Sequence, residues 1–129
     1  VQAGNLAPMA RLVAYAHAGV EPELMGLGPI PATRLALKRA GLKIGDMDVI
    51  EANIAFAAQA CAVMQELGMD PARVNPNGSG IALGHPVGAT GAIIATKAIH
   101  ELQRTQGRYA LATMCIGGGQ GIAVIFERV

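Results

Sequence analysis

Aromatic residues are almost absent from this sequence, whose 129 residues include two Tyr, two Phe and no Trp. Any core must therefore form from Ala, Val, Ile, Leu and Met packed against closely spaced backbone segments. Hydrophobic residues make up 52% of the chain, which is ample for such a core. Because the length is also about that of one domain, we expect a single globular domain over residues 1–129.

The sequence also has no charge excess and no long apolar run. Ten Lys and Arg balance nine Asp and Glu, and the basic residues are scattered without interleaved aromatics, which argues against nucleic acid as a partner. No stretch approaches the roughly 18 apolar residues of a membrane helix, and the first residues lack the basic-then-apolar order of a signal peptide. We therefore expect a soluble, cytoplasmic protein that binds neither nucleic acid nor membrane.

Cysteine is scarce as well, with Cys61 and Cys115 alone. Two such residues are too few for a disulfide framework, and no Cys-x-x-Cys or Cys/His cluster predicts a metal site. Reduced thiols in a cytosolic or similar compartment fit best. Cys61 lies among Ala60, Ala62 and Val63 in a predicted helix, and is interpreted as a core residue.

Apolar segments and turn formers predict the order β-α-β-α-β-α-β-β, an α/β domain with a five-stranded mixed sheet and helices on both faces. The predicted strands cover residues 9–18, 47–52, a brief segment near 74–75, 108–114 and 121–127, and the predicted helices cover 32–40, 53–67 and 86–104. Prolines are expected to prevent regular structure before residue 32. The 53–67 helix is apolar on nearly all sides, which predicts an interior helix with both sides covered.

Two glycine-rich segments each carry one reactive side chain. Residues 75–91 surround His85, and residues 115–121 follow Cys115 with Gly117, Gly118 and Gly119. Glycine loses more conformational entropy than other residues on folding, so its concentration here indicates unusual torsions or a close approach of backbone to a ligand. Both segments are therefore candidates for a functional site.

Neither glycine segment fits a nucleotide-binding motif. The spacing from Gly78 to Gly84 has one residue too many for Gly-x-Gly-x-x-Gly, and no Gly-Lys-Ser/Thr follows. His85 either caps a turn or lies at a helix start, where the dipole would favour a neutral imidazole. Cys115 is either a small core thiol or a thiol at a strand end, exposed to a substrate and close to backbone N–H groups that favour the thiolate.

Together with Asn53, these segments resemble the C-terminal half of the thiolases, the family of acetyl-CoA acetyltransferase and 3-ketoacyl-CoA thiolase. The resemblance covers nearly the whole chain. Three segments carry it, in the family's order and spacing: Glu-Ala-Asn-Ile-Ala-Phe-Ala-Ala-Gln at 51–59, Asn-Pro-Asn-Gly-Ser-Gly through Gly-His-Pro at 75–86, and Cys-Ile-Gly-Gly-Gly-Gln-Gly at 115–121.

The resemblance implies a role for each matched residue. Cys115 corresponds to the acid/base cysteine, which removes a proton from the methyl group of acetyl-CoA in condensation and protonates the leaving carbanion in thiolysis. His85 corresponds to the histidine that activates the nucleophilic cysteine and helps to bind the thioester oxygen, and Asn53 to the asparagine that holds a water in an oxyanion hole. The glycines Gly84, Gly117 and Gly118 would support these loops. The substrate would be a coenzyme A thioester, with no further cofactor and no metal.

The chain departs from the family pattern in two ways. The family's nucleophilic cysteine belongs to the N-terminal half, which together with the loop domain lies outside these residues, so the 129-residue chain alone is expected to be inactive. Cys61 is a poor substitute because it is predicted to be a core residue. Ile54 stands where thiolases usually carry Glu, which affects the expected water network at Asn53.

These departures leave two interpretations, with a third more distant. The first is the C-terminal catalytic domain of a thiolase, acting on short-chain 3-ketoacyl-CoA and partnered by the N-terminal half. The second is an excised or engineered thiolase half that self-associates as a non-enzymatic scaffold, which the start at Val1 and the presence of Ile54 favour. A CoA-binding or lipid-transfer module without turnover is the third.

Overall fold

The computed structural model describes residues 4–129, so Val1, which suggested excision, lies outside the described residues. The described residues contain four strands: β1 Ala10–Gly19, β2 Val49–Ala52, β3 Tyr109–Gly117 and β4 Gln120–Arg128. They also contain four α-helices: α1 Pro29–Ala40, α2 Ala57–Leu67, α3 Gly80–Leu83 and α4 Thr90–Thr105. Short 3-10 turns lie at Pro22–Leu27, Ile44–Asp46 and Pro71–Arg73.

The sheet has the spatial order β1-β4-β3-β2. β4 pairs antiparallel with both β1 and β3, whereas β2 pairs parallel with β3, so the sheet is mixed as predicted. The predicted antiparallel pairing of the last two strands is confirmed. The predicted number of strands is wrong, because the sheet has four strands and not five.

The missing fifth strand is the segment near residue 74. Val74 forms only an isolated parallel bridge to Ile50. A 3-10 turn at Pro71–Arg73 precedes it, and Asn75 has a left-handed φ of 49° that ends the extended backbone at once. Pro76 follows without an N–H group, so the segment cannot extend its pairing with β2.

Helices cover both faces of the sheet. Along β2 and β3, side chains alternate between the faces, as the pleat requires. Ile50 and Leu111 join a core with residues of α1 and α2. Val49 and Ala110 join a second cluster with Ala98 and Leu102 of α4. The two-sided α/β arrangement expected from the sequence is therefore present.

Helix starts differ from those predicted. α1 begins at Pro29 and not at residue 32, because the first residues of a helix need no N–H donor and proline suits them. α2 begins at Ala57, four residues later than predicted, because Asn53 continues from β2 and donates its N–H to Thr113 O at 2.9 Å. α4 begins at Thr90 and not at Pro86. Helix α1 ends just before Gly41 and helix α2 ends just before Gly68, and both glycines have the left-handed backbone torsions that are common just after a helix.

Helix α2 is covered on one side only by the described residues. Gln59, Val63 and Leu67 are buried, whereas Ala58 and Cys61 are exposed. The interpretation of Cys61 as a core residue is therefore wrong. Cys61 lies on the opposite side of α2 from the buried residues Gln59 and Val63, a distinction that an almost uniformly apolar sequence does not reveal.

The start of α1 lies directly on β4. A methyl group at Gly121 would overlap the backbone of Gly28, so this contact requires glycine. It brings α1 and the preceding 3-10 turn close to the turn between β3 and β4. In residues 4–129, no helix is both long enough and apolar enough to cross a bilayer.

Candidate active site

The carboxyl ends of β2 and β3 place two of the predicted site residues at one edge of the sheet. The strands are parallel, with Ala52 opposite Thr113. Asn53 follows β2 directly, and Cys115 lies two residues beyond Thr113. Loops at the carboxyl ends of parallel strands are the usual location of ligand sites in α/β sheets. Both side chains are buried, with 5% of Asn53 and 6% of Cys115 exposed.

The first glycine segment is hydrogen-bonded to the end of β2. The side chain of Asn75 accepts from Ala52 N at 3.0 Å and donates to Ala52 O at 2.8 Å. Ser79 Oγ accepts from Ile54 N at 2.9 Å and donates to Ala52 O at 3.2 Å. Asn75 thus replaces the strand partner that the fifth strand would have supplied. These bonds hold the segment against the backbone on both sides of Asn53.

His85 lies between α3 and α4, half-buried, in contact with Asn53. Its Nδ1 is 2.7 Å from Thr90 Oγ1 and 3.4 Å from Asn53 Nδ2. Because α4 begins five residues after His85, the predicted position of this histidine at a helix start is wrong. A turn at Pro86–Ala89 intervenes, closed by the bond from Ala89 N to Pro86 O at 2.7 Å. The orientation of the His85 ring therefore depends on the side chains of Thr90 and Asn53 and not on the helix terminus.

Cys115 lies near the end of β3, at an irregularity in the pairing with β4. The register shifts between Cys115 and Gly117, and the chain then reverses through Gly117, Gly118 and Gly119, all with positive φ. Residues with a Cβ rarely adopt such backbone torsions, which explains why three glycines follow one another here. Gly84 also has a positive φ, 99°, at the end of α3.

His85 and Cys115 line the same open cleft, which has a volume of about 410 Å³. The other lining residues are mostly apolar: Met25, Ala55, Phe56, Val87, Met114, Ile116 and Gly117. A second open groove, of about 490 Å³, lies between the first two helices but is lined by no histidine or cysteine. An apolar cleft with a few converging reactive groups is the expected form of a small-molecule site, so the cleft at His85 and Cys115 is the candidate active site.

A polar network behind the cleft was not predicted from the sequence. Lys97 of α4 donates to Glu51 Oε2 at 2.8 Å and also to Gly78 O. Burial raises the pKa of Glu51, although the hydrogen bond from Lys97 acts in the opposite direction. Glu101 accepts hydrogen bonds from Arg104 and from Asn77 Nδ2, and these lower its pKa to about 2. Through Gly78 and Asn77, the network ties the first glycine segment to α4.

Three buried side-chain amide atoms near Asn53 have no hydrogen-bond partner among the described residues. They are Asn53 Oδ1 and both polar atoms of Gln59. Asn53 and Gln59 border the same small cavity, together with Ile54. Ile54, at the position where the resemblance leads us to expect Glu, is therefore an apolar residue beside polar atoms that have no partner among the described residues.

Some of the unpredicted residues carried a signal in the sequence. Glu51 is a charged residue in an otherwise apolar strand, where burial requires a partner. Thr90 lies within the same glycine-rich segment as His85. Lys97 carried no such signal, because a lysine on a helix face is normally solvated. In residues 4–129, no group of three or more His, Cys, Asp or Glu side chains is placed to hold a metal ion.

A family model described as the C-terminal domain of thiolase matches residues 6–128. The chain belongs to the thiolase family. The β-ketothiolase BktB of Cupriavidus necator is 73% identical over 125 residues, which are 97% of this chain and 32% of that protein. An acetyl-CoA acetyltransferase of Shinella zoogloeoides is 57% identical over 123 residues, 95% of this chain and 31% of that protein.

Solved thiolase structures share the fold. Human mitochondrial 3-ketoacyl-CoA thiolase in complex with CoA superimposes with a TM-score of 0.97 at 49% identity, over 99% of this chain and 32% of that one. The resemblance inferred from the three motif segments is therefore confirmed at the level of the family. The chain spans about a third of the length of the thiolases that it matches.

Proposed function

We propose that this chain is the C-terminal catalytic domain of a cytoplasmic thiolase, an acetyl-CoA C-acyltransferase. It would act in Claisen condensation or thiolysis of short-chain 3-ketoacyl-CoA. One observation carries the proposal: His85 and Cys115 line one apolar cleft, and His85 is held there by Asn53. A carbon–carbon bond next to a thioester forms or breaks through an enolate, which needs a base at the carbon and donors at the oxygen.

Each of the three side chains has a distinct role in this proposal. In condensation, the Cys115 thiolate removes a proton from the acetyl-CoA methyl group, and the resulting enolate carbon attacks an acyl-cysteine thioester, expelling that cysteine as thiolate. In thiolysis, the Cys115 thiol protonates the carbanion as the carbon–carbon bond breaks. His85 and a water held by Asn53 donate to the enolate oxygen. Gly84, Gly117 and Gly118 provide the backbone turns beside these groups.

The acyl-accepting nucleophile has to come from another part of the protein. Cys61 is exposed on α2 and is not among the residues that line the cleft. The matched thiolases are about three times as long as this chain. We therefore expect the N-terminal thiolase half to supply the nucleophilic cysteine, and the isolated chain to be inactive.

A thiolysis assay with acetoacetyl-CoA and free CoA tests this proposal. The isolated chain is compared with a fusion in which it replaces the matching C-terminal third of the Cupriavidus necator β-ketothiolase. We expect no turnover from the chain alone and turnover from the fusion. Cys115→Ala should lower kcat/KM of the fusion by at least about 100-fold, because it removes the acid/base group.

The matched control is Cys61→Ala in the same fusion, which removes the other thiol of the chain outside the cleft. It should leave kcat/KM within about twofold of the parent fusion, as for an exposed residue away from the site. Turnover by the isolated chain that disappears in Cys61→Ala would overturn the proposed division of roles. A fusion that folds but is inactive would overturn the proposed function.

Exposed apolar side chains support a second candidate, a self-associating scaffold. Phe56, Ile81, Leu83 and Val87 are each more than 60% exposed and lie on the segments around the cleft. Clusters of this kind commonly mark association surfaces. If the scaffold were the function, sedimentation velocity would show a discrete oligomer of the isolated chain that Phe56→Ser dissociates, and the fusion would be inactive.

A further inference from the structure

Thr90 is a buried hydroxyl in direct contact with His85. Only 2% of this residue is exposed, and its Oγ1 lies 2.7 Å from His85 Nδ1 and 3.0 Å from Pro86 O. A threonine hydroxyl has a single proton, so it can donate to only one of these two atoms. The choice between them determines which ring nitrogen of neutral His85 carries the proton.

The surroundings of Pro86 O favour donation to the histidine. This carbonyl oxygen already accepts the N–H groups of Ala89 at 2.7 Å and Thr90 at 2.9 Å, which match its two lone pairs. The distances point the same way. Hydroxyl donors usually make shorter bonds than N–H donors, and the contact at 2.7 Å is the one to His85 Nδ1.

A second donor lies at the same ring nitrogen. The amide nitrogen of Asn53 is 3.4 Å from His85 Nδ1. Nδ1 thus faces two groups that can donate, Thr90 Oγ1 and Asn53 Nδ2. A proton on Nδ1 would meet the Asn53 amide hydrogens, whereas an unprotonated Nδ1 can accept from Thr90 with its one lone pair and is not opposed by the more distant Asn53 amide.

We propose that Thr90 is a positioning residue that fixes neutral His85 in the tautomer with its proton on Nε2. Nδ1 is then the acceptor for Thr90, and Nε2–H is the group that His85 presents to a ligand in the cleft. This inference deepens the proposed function, on which its catalytic consequence rests. His85 would act as a neutral hydrogen-bond donor to the thioester oxygen, ready to stabilise the enolate without a prior proton transfer.

The tautomer can be measured on the 129-residue chain itself, without any enzymatic activity. Long-range proton–nitrogen NMR spectra, recorded at a pH where the ring is neutral, distinguish a protonated nitrogen from an unprotonated one by its chemical shift. We expect a protonated-type signal for His85 Nε2 and an unprotonated-type signal for Nδ1. The reverse assignment, or a mixture of the two, would overturn the proposal. The exposed His17 and His100 provide internal references.

Two substitutions test the role of the hydroxyl. Thr90→Val keeps the branched shape but removes the proton donor, so the single tautomer should be lost. Thr90→Ser keeps the donor and should retain the tautomer of the wild type. Unchanged His85 signals in a folded Thr90→Val variant would show that Thr90 does not set the tautomer. If Thr90→Val does not fold, the wild-type and Thr90→Ser spectra still decide the proton position and the sufficiency of the hydroxyl.

The same pair of substitutions in the thiolase fusion tests the catalytic consequence. Thr90→Val should lower kcat/KM by about 100-fold, on the order of the loss of one oxyanion donor, and Thr90→Ser should restore most of it. An inactive parent fusion would contradict the proposed function while leaving the NMR result on the tautomer intact. Full activity of Thr90→Val would contradict the catalytic part of the inference alone.

Discussion

Lys97 Nζ lies 2.8 Å from Oε2 of Glu51, a carboxylate with no exposed surface. Glu51 lies on β2, two residues before Asn53, and Lys97 lies on α4. The same ammonium group donates to Gly78 O in the first glycine segment. One partly buried cation therefore connects the strand before Asn53, the segment before His85 and the helix that begins at Thr90.

Removal of this cation is expected to be costly. Lys97→Met would leave the Glu51 carboxylate buried without its partner, and loss of one member of a buried pair costs about 3 to 5 kcal/mol. Urea unfolding followed by circular dichroism measures the difference. Lys38→Met is the matched control, because Lys38 is exposed on α1, and it should change stability by less than about 0.5 kcal/mol. Equal effects of the two substitutions would contradict a role for the pair.

Acid stability should depend on Glu101. Its pKa is lowered to about 2 from an ordinary value of 4.5, first by the hydrogen bond from Arg104 and then by that from Asn77. Between these two pKa values the unfolded state binds more protons than the folded state. The contribution of Glu101 to the free energy of unfolding is therefore fully present above pH 4.5 and is lost as the pH falls towards 2. Glu101→Gln should flatten the fall in unfolding free energy over this range.

The raised pKa of Glu51 acts with the opposite sign. The folded state retains that proton longer, so this group lowers stability as the pH rises above its ordinary value of 4.5. The difference between wild type and Glu101→Gln, measured by urea unfolding from pH 2 to 6, separates the two effects because Glu51 is present in both proteins. Parallel curves for the two proteins would show that Glu101 does not contribute to the acid-side dependence.

A methyl group at Gly80 should disturb the site directly. It would lie 2.8 Å from Asn53 Oδ1 and from Ile54 O, closer than a real Cβ approaches such atoms. We expect Gly80→Ala to lower stability by about 1 to 3 kcal/mol and to shift the His85 NMR signals through Asn53. Gly88→Ala is the matched control, because no atom lies near its added methyl group. Unshifted His85 signals in Gly80→Ala would argue against this close approach.

The buried amide of Gln59 should contribute little or unfavourably to stability. Its side chain is 7% exposed, and neither polar atom has a partner among the described residues. Gln59→Met keeps a similar shape without polar atoms, so thermal unfolding should show a gain of about 1 to 2 kcal/mol. Gln65→Met, on the exposed side of α2, should be nearly neutral. A clear loss in Gln59→Met would indicate that a buried water satisfies the amide.

Local sequence patterns predicted much of the fold. Strands β1, β3 and β4, their apolar character and the glycine reversal between the last two follow from neighbours in the sequence. The fifth strand could not be excluded in this way, because the partner of Ala52 is the side chain of Asn75, 23 residues away. The two sides of α2 were likewise indistinguishable in a helix made largely of Ala, Val and Met.

The sequence by itself determined the family and the residues His85, Cys115 and Asn53 as candidates, and its two glycine-rich segments indicated either unusual torsions or a close approach of backbone. These properties depend on residue identity and short-range sterics. Tertiary structure alone decided that His85 and Cys115 share a cleft, that Thr90 and Asn53 both face His85 Nδ1, and that Lys97 reaches Glu51. Hydrogen bonds and buried ion pairs act over a few ångströms, and only the pairing of β2 with β3 and the packing of α4 bring such distant residues within that range.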